Sequence, residues 1–136
     1  MPCYCVSDCS LNRTLDAPES PTENKFSSPY YPNGYPMNMT CGWYITAPED
    51  HIVKLHLTSQ FSSLIPSDDG VVVYDVDGSE FRVNSILLRT DSIYTSILYS
   101  KFHTLYVLFK SDDKPQSDYT KGISVSYTTI KTGKVN

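Results

Sequence analysis

The chain has 136 residues, 40% of them hydrophobic, with a net charge of -4 and an isoelectric point near 5.2. That is room for one domain with a hydrophobic core, and the acidic balance excludes a nucleic-acid binder, which needs a clustered basic face. No apolar run approaches the roughly 20 residues that span a bilayer, so no membrane insertion by this segment is expected. The start, Met1-Pro2-Cys3-Tyr4-Cys5, lacks the charged and apolar regions of a signal peptide. This implies a removed leader or a piece of a longer chain.

Residues 1–24 read as an N-terminal segment with cysteines, the edge of a preceding module, and residues 10–24 as loose chain rich in Ser, Pro, Asn and Glu. From Lys25 the periodicity is that of strands. Pro29, Pro32 and Pro36 confine their stretch to an edge or a turn. Cys41, Trp43 and Ile45 share one face of a short strand, and Trp43 is expected in the core. Val53, Leu55 and Leu57 alternate with Lys54, His56 and Thr58, which gives one apolar and one wet face. The turn signal Asp68-Asp69-Gly70 opens the β-branched run Val71 to Tyr74, which leaves through Asp77-Gly78. Ile86 to Leu88 and Ile97 to Tyr99 supply two more short candidates. Leu105, Val107 and Phe109 alternate with Tyr106, Leu108 and Lys110, so both faces of that strand are expected to be covered. Ile123, Val125 and Tyr127 alternate with Ser124, Ser126 and Thr128, and residues 129–136 read as a tail or linker. Many short strands, nine prolines and no sustained helical spacing predict an all-β, antiparallel two-sheet sandwich.

Asn12-Arg13-Thr14 and Asn38-Met39-Thr40 match the N-glycosylation pattern. Four cysteines confined to the first 41 residues suggest a disulfide framework and an oxidising compartment. Together these predict an extracellular protein. Zinc is disfavoured, because Cys3, Cys5 and Cys9 have the wrong spacing and no His pair follows. His51, His56 and His103 are separated and form no His-Glu-x-x-His, and no Gly-x-Ser-x-Gly is present. No catalytic function is expected.

Several pieces, in order from about residue 9 to residue 128, resemble a CUB domain. Phe26-Ser27-Ser28-Pro29-Tyr30-Tyr31-Pro32 and Tyr35-Pro36 are similar to the family's opening, and Cys41-Gly42-Trp43-Tyr44-Ile45 to its Cys-x-Trp-x-Ile strand. Asp69-Gly70-Val71-Val72-Val73 looks like its Asp-x-Val-x-Val strand. Leu105 to Asp112 looks like the strand ending in Phe-x-Ser-Asp, and Gly122-Ile123 opens a similar closing strand.

The resemblance implies a jelly-roll-like sandwich over 25–128, with Cys9 bridged into it through Cys41. The family's second bridge is absent, and Cys3 and Cys5 are left for a neighbouring domain or a strained pair with each other. Many CUB domains hold calcium with one Glu and two Asp at one end. Asp69 and Asp112 match the aspartates, whereas Gln60, Ser62, Ser63 and Leu64 stand where the Glu belongs. Asp68 and Asp113 are the carboxylates available to compensate; the alternative takes all four as polar turn residues. The implied function is an extracellular interaction module that receives a protein ligand, through a basic side chain, on acidic loops. Two alternatives remain open: a non-catalytic domain of an astacin-like metalloprotease, and a glycan-binding secreted protein.

Overall fold

The alternation of apolar residues sets the inner faces of two sheets. The structure, a computed structural model, describes residues 10–11, 13–29, 31, 38–60, 70–87, 94–111 and 122–132. These carry nine strands: β1 Arg13–Asp16, β2 Asn24–Ser27, β3 Thr40–Thr46, β4 His51–Gln60, β5 Gly70–Asp77, β6 Glu80–Leu87, β7 Tyr94–Tyr99, β8 Thr104–Lys110 and β9 Gly122–Lys131. One sheet has the order β1-β3-β8-β5-β6 and the other β2-β9-β4-β7. All strand pairs are antiparallel except β1 with β3. The chain is thus an all-β, two-sheet sandwich.

Trp43, Ile45, Val107 and Phe109 from the first sheet meet Val53, Leu55, Leu57, Ile123 and Val125 from the second, all buried in one core. Such interdigitation of two inner faces is the ordinary solution for stacked sheets. Gly78, at a φ of 61°, makes the turn between β5 and β6, a left-handed conformation that favours glycine. Tyr106 is buried and Leu108 half-buried, as the double alternation of β8 implies.

Three expectations need correction. The segment 10–24 is not loose: β1 forms within it, Leu15 packs against the core and the Ala17 N–H donates to the Thr46 carbonyl at 2.9 Å. The Pro18 carbonyl then accepts from the Thr129 N–H at 2.8 Å and from the Thr128 hydroxyl at 2.9 Å, so the segment crosses from one sheet to the other. The tail is also shorter than expected, because β9 runs to Lys131 with Ile130 in register with Ile52. The candidate at Ile86 is longer as well: β6 begins at Glu80.

A bulge explains one polar contact inside the sandwich. The β5–β6 register slips between Val73 and Tyr74, pairing Val73 with Ser85 and Tyr74 with Val83, which leaves Asn84 as the extra residue. Asn84 Nδ2 donates to Asp75 Oδ2 at 2.8 Å and to the Tyr99 carbonyl at 3.1 Å. Lys101 N–H satisfies the other Asp75 oxygen at 2.8 Å, and Asp75 is buried. Asn84 therefore clips β6 to β7 across the open side of the sandwich. Asn84→Ala is expected to cost about 2 kcal/mol, since it strips a donor from a buried carboxylate. Urea unfolding measures this, and a change below about 0.5 kcal/mol would remove the clip from the account.

Candidate interaction end

Backbone hydrogen bonds separate the two ends of the sandwich. Ala47 N–H donates to the His103 carbonyl at 2.8 Å, and Thr132 N–H to the Asp50 carbonyl at 2.8 Å. His103 Nδ1 lies 3.1 Å from the His51 carbonyl. The ends of β3 and β9 and the starts of β4 and β8 therefore share one end. There Glu49, Asp50, His51, Lys101, Phe102 and His103 line a cleft of about 450 Å³. His51 Nδ1 lies 2.9 Å from the Glu49 carbonyl, so both rings sit against backbone carbonyls at this end.

The starts of β3, β5 and β9 and the ends of β4 and β8 fall at the opposite end. Lys110 is in register with both Thr40 and Gly70, and Gln60 with Gly122. Ser111 N–H donates to the Met39 carbonyl at 2.9 Å, and Met39 N–H returns a bond to Ser111 Oγ at 2.8 Å. In the second sheet Ser28 N–H donates to the Ile123 carbonyl at 3.0 Å, and Ile123 N–H donates to Ser28 Oγ at 3.0 Å. These reciprocal pairs tie the strand ends into a fixed rim.

Asp68, Asp69, Asp112 and Asp113 lie outside the described residues, as do Cys3, Cys5, Cys9 and Asn12. Their described neighbours do fall together: Gly70, next to Asp69, faces Lys110, two residues before Asp112. Among the described residues no group of three or more His, Cys, Asp or Glu could hold a metal ion. Asn38 is exposed, with a left-handed φ of 58°. Cys41 is buried and disulfide-bonded.

Ser28, Ser59 and Ser111 were not singled out by sequence reasoning as residues of this end. The first and last stand inside the quoted motifs. Ser59 Oγ is buried with no hydrogen-bond partner among the described residues. Its signal was readable: Ser59 continues the inward alternation Val53, Leu55, Leu57 with a polar residue.

On the flank of this end the Tyr106 hydroxyl donates to the Leu11 carbonyl at 2.8 Å. Its ring passes over Gly42, where any Cβ would collide with the hydroxyl. Burial, then the neighbouring Tyr44 and Tyr74, push the Tyr106 phenol above its ordinary range, so it stays protonated and keeps this bond at neutral pH.

Two sheets of this order, one core and no helix among the described residues define an all-β sandwich. The CUB domain family profile matches residues 17–127, and the chain belongs to that family. Rat cubilin is 30% identical over 113 residues, covering 80% of this chain and 3% of cubilin. The full extracellular region of zebrafish Gpr126/Adgrg6 superposes with a TM-score of 0.63 and 28% identity, covering 90% of this chain and 15% of that one. The MASP-1 CUB2 domain bound to Ca2+ matches with a TM-score of 0.56 at 19% identity, covering 88% and 98%. The chain thus spans only a small part of cubilin and of the receptor region.

Proposed function

We propose that this CUB domain is a protein-interaction module of a longer extracellular protein, and that it binds its partner at the end where β5 begins and β8 finishes. The register of Gly70 with Lys110 supports this most directly, because it brings the residue that follows Asp68-Asp69 and the strand end that precedes Asp112-Asp113 side by side. Carboxylates gathered in a small volume repel, and a cation or a partner's Lys or Arg relieves that repulsion. Such charge pairing sets association rate and specificity. The exposed Asn38 acceptor and the bonded Cys41 agree with an extracellular setting.

Calcium is the candidate cofactor. Asp68, Asp69, Asp112 and Asp113 supply hard oxygen donors of the right type, one Glu short of the pattern the resemblance implies. When bound, calcium would neutralise the carboxylates and order the segments that carry them. The test is an array of extracellular proteins probed with the secreted domain and with Asp69→Ala and Asp112→Ala, with and without chelator. Each variant is expected to lose about tenfold or more in affinity while melting like wild type. Equal binding by both variants would sink the proposal.

A further inference from the structure

Among the described residues β1 and β6 form the edges of one sheet, β2 and β7 those of the other. Natural sheets blunt an edge with short length, charge or a bulge, and three of these strands follow that rule. β1 and β2 are four residues long and carry Arg13, Asp16 and Lys25. β6 holds the bulge at Asn84 and two charges, Glu80 and Arg82. β7 has none of these devices. Its six residues, Tyr94–Tyr99, include no charge and no proline, and its register with β4 is unbroken.

Hydrogen bonds show what that edge offers. Ser100, just past the strand, donates its N–H to the Val53 carbonyl of β4 at 2.9 Å. Backbone groups alternate sides along a strand, so Thr95, Ile97 and Tyr99 turn theirs away from β4. The Tyr99 carbonyl marks that open side, where it accepts from Asn84 Nδ2 at 3.1 Å. Among the described residues nothing pairs there with the N–H and C=O groups of Thr95 and Ile97. Ile97 and Tyr99 are 52% and 49% exposed, so water reaches this edge.

We infer that β7 is a docking edge, on which an extended segment of a partner protein adds as a further strand of the four-stranded sheet. The edge itself dictates that chemistry, because regularly spaced N–H and C=O groups are matched by another strand's backbone. Side chains that the added strand turns inward lie beside Leu98, which packs on the core, and are apolar. Those turned outward meet a surface without acids. β4, β7 and β9 contain no Asp or Glu, and Lys54 has no carboxylate partner among the described residues. Lys54 stands opposite Tyr99, two strand spacings or roughly 10 Å from the added strand, within joint reach of a Lys and a Glu side chain. The segment therefore alternates apolar residues with acidic ones. The β7 of a second copy has no carboxylate to offer and is the poorer occupant. This surface lies on the flank of the sandwich and does not use the acidic end.

The probe is an end-blocked octapeptide of alternating Val and Glu, titrated into the isotope-labelled domain while its amide resonances are followed. Binding is expected with a dissociation constant on the order of 1 mM, with the amides of Thr95, Ile97 and Tyr99 shifting most. N-methylating either the Val or the Glu residues removes the donors from one side of the peptide. One set is expected to abolish binding and the other to spare it, whichever way the strand runs. Ile97→Pro deletes a donor from the open edge, a place where proline is tolerated, and should weaken binding by about tenfold or more. Lys54→Glu should weaken the Val-Glu peptide and favour a Val-Lys one. Thermal melting checks that both variants fold, and the N-methyl comparison needs no variant. Absence of any shift up to about 5 mM peptide overturns the inference. So do shifts confined to other strands, or equal binding by the two N-methylated sets.

Discussion

Trp43→Ala is expected to lower the folding free energy by about 3–5 kcal/mol, the largest loss from any single side chain here. Trp43 is 1% exposed and stacks on Phe26 with centroids 4.4 Å apart and planes 25° from parallel. The two rings come from different sheets, so the pair closes the sandwich rather than filling a pocket in one layer. Phe26 also tilts against Tyr127 at 5.8 Å, and Trp43 lies opposite Val107 in the β3–β8 ladder. Removing the indole leaves a cavity that a hydrogen-bonded sheet cannot collapse to fill. Since domain stabilities run to about 5–15 kcal/mol, the variant will be partly unfolded at body temperature. This is the only tryptophan in the chain, so unfolding must be followed by far-UV circular dichroism rather than by its fluorescence. A loss below about 1 kcal/mol would mean that the rings do not hold the sheets together.

Cys41→Ser is expected to cost about 3–4 kcal/mol and to lower the melting temperature by on the order of 10 °C. Those figures take Cys9 as the partner, closing a loop of roughly thirty residues in the chain-entropy account of disulfides. Two contacts favour that pairing. Gly42 N–H donates to the Ser10 carbonyl at 2.7 Å, and Tyr106 reaches the Leu11 carbonyl. The residue after Cys9 is thus fixed against the residue after Cys41. Non-reducing peptide mapping should find Cys9 joined to Cys41, and Cys9→Ser should melt like Cys41→Ser. A bridge from Cys41 to Cys3 or Cys5 would contradict the pairing and leave Cys9→Ser close to wild type.

The sequence made the central strands legible because period-2 alternation survives where one face is buried. Val53, Leu55 and Leu57, and Cys41, Trp43 and Ile45, lie buried as that pattern requires. β1 escaped because four residues with one apolar side chain carry almost no period, and its parallel pairing with β3 has no local turn to announce it. The anchoring at Pro18 was equally hidden, since it is made by a backbone carbonyl. Gly42 could be read as part of a motif, but its reason lies in Tyr106, 64 positions later, whose ring needs the space. Asn84 had no signal either, because a bulge depends on the register of two strands. The acidic pairs show a different limit. Their residue types pointed to cation chemistry, but only the facing of Gly70 and Lys110 gave a physical reason for them to act together.

Carboxyl footprinting tests that joint action most directly. The domain is labelled with a water-soluble carbodiimide and an amine, alone and in complex with a partner found on the array, and the modified residues are mapped by mass spectrometry. The account expects the partner to protect Asp68, Asp69, Asp112 and Asp113, while Asp16 and Glu80, exposed on β1 and β6, label as before. Protection of Asp16 or Glu80 with the four aspartates still fully labelled would place the binding surface elsewhere and contradict it.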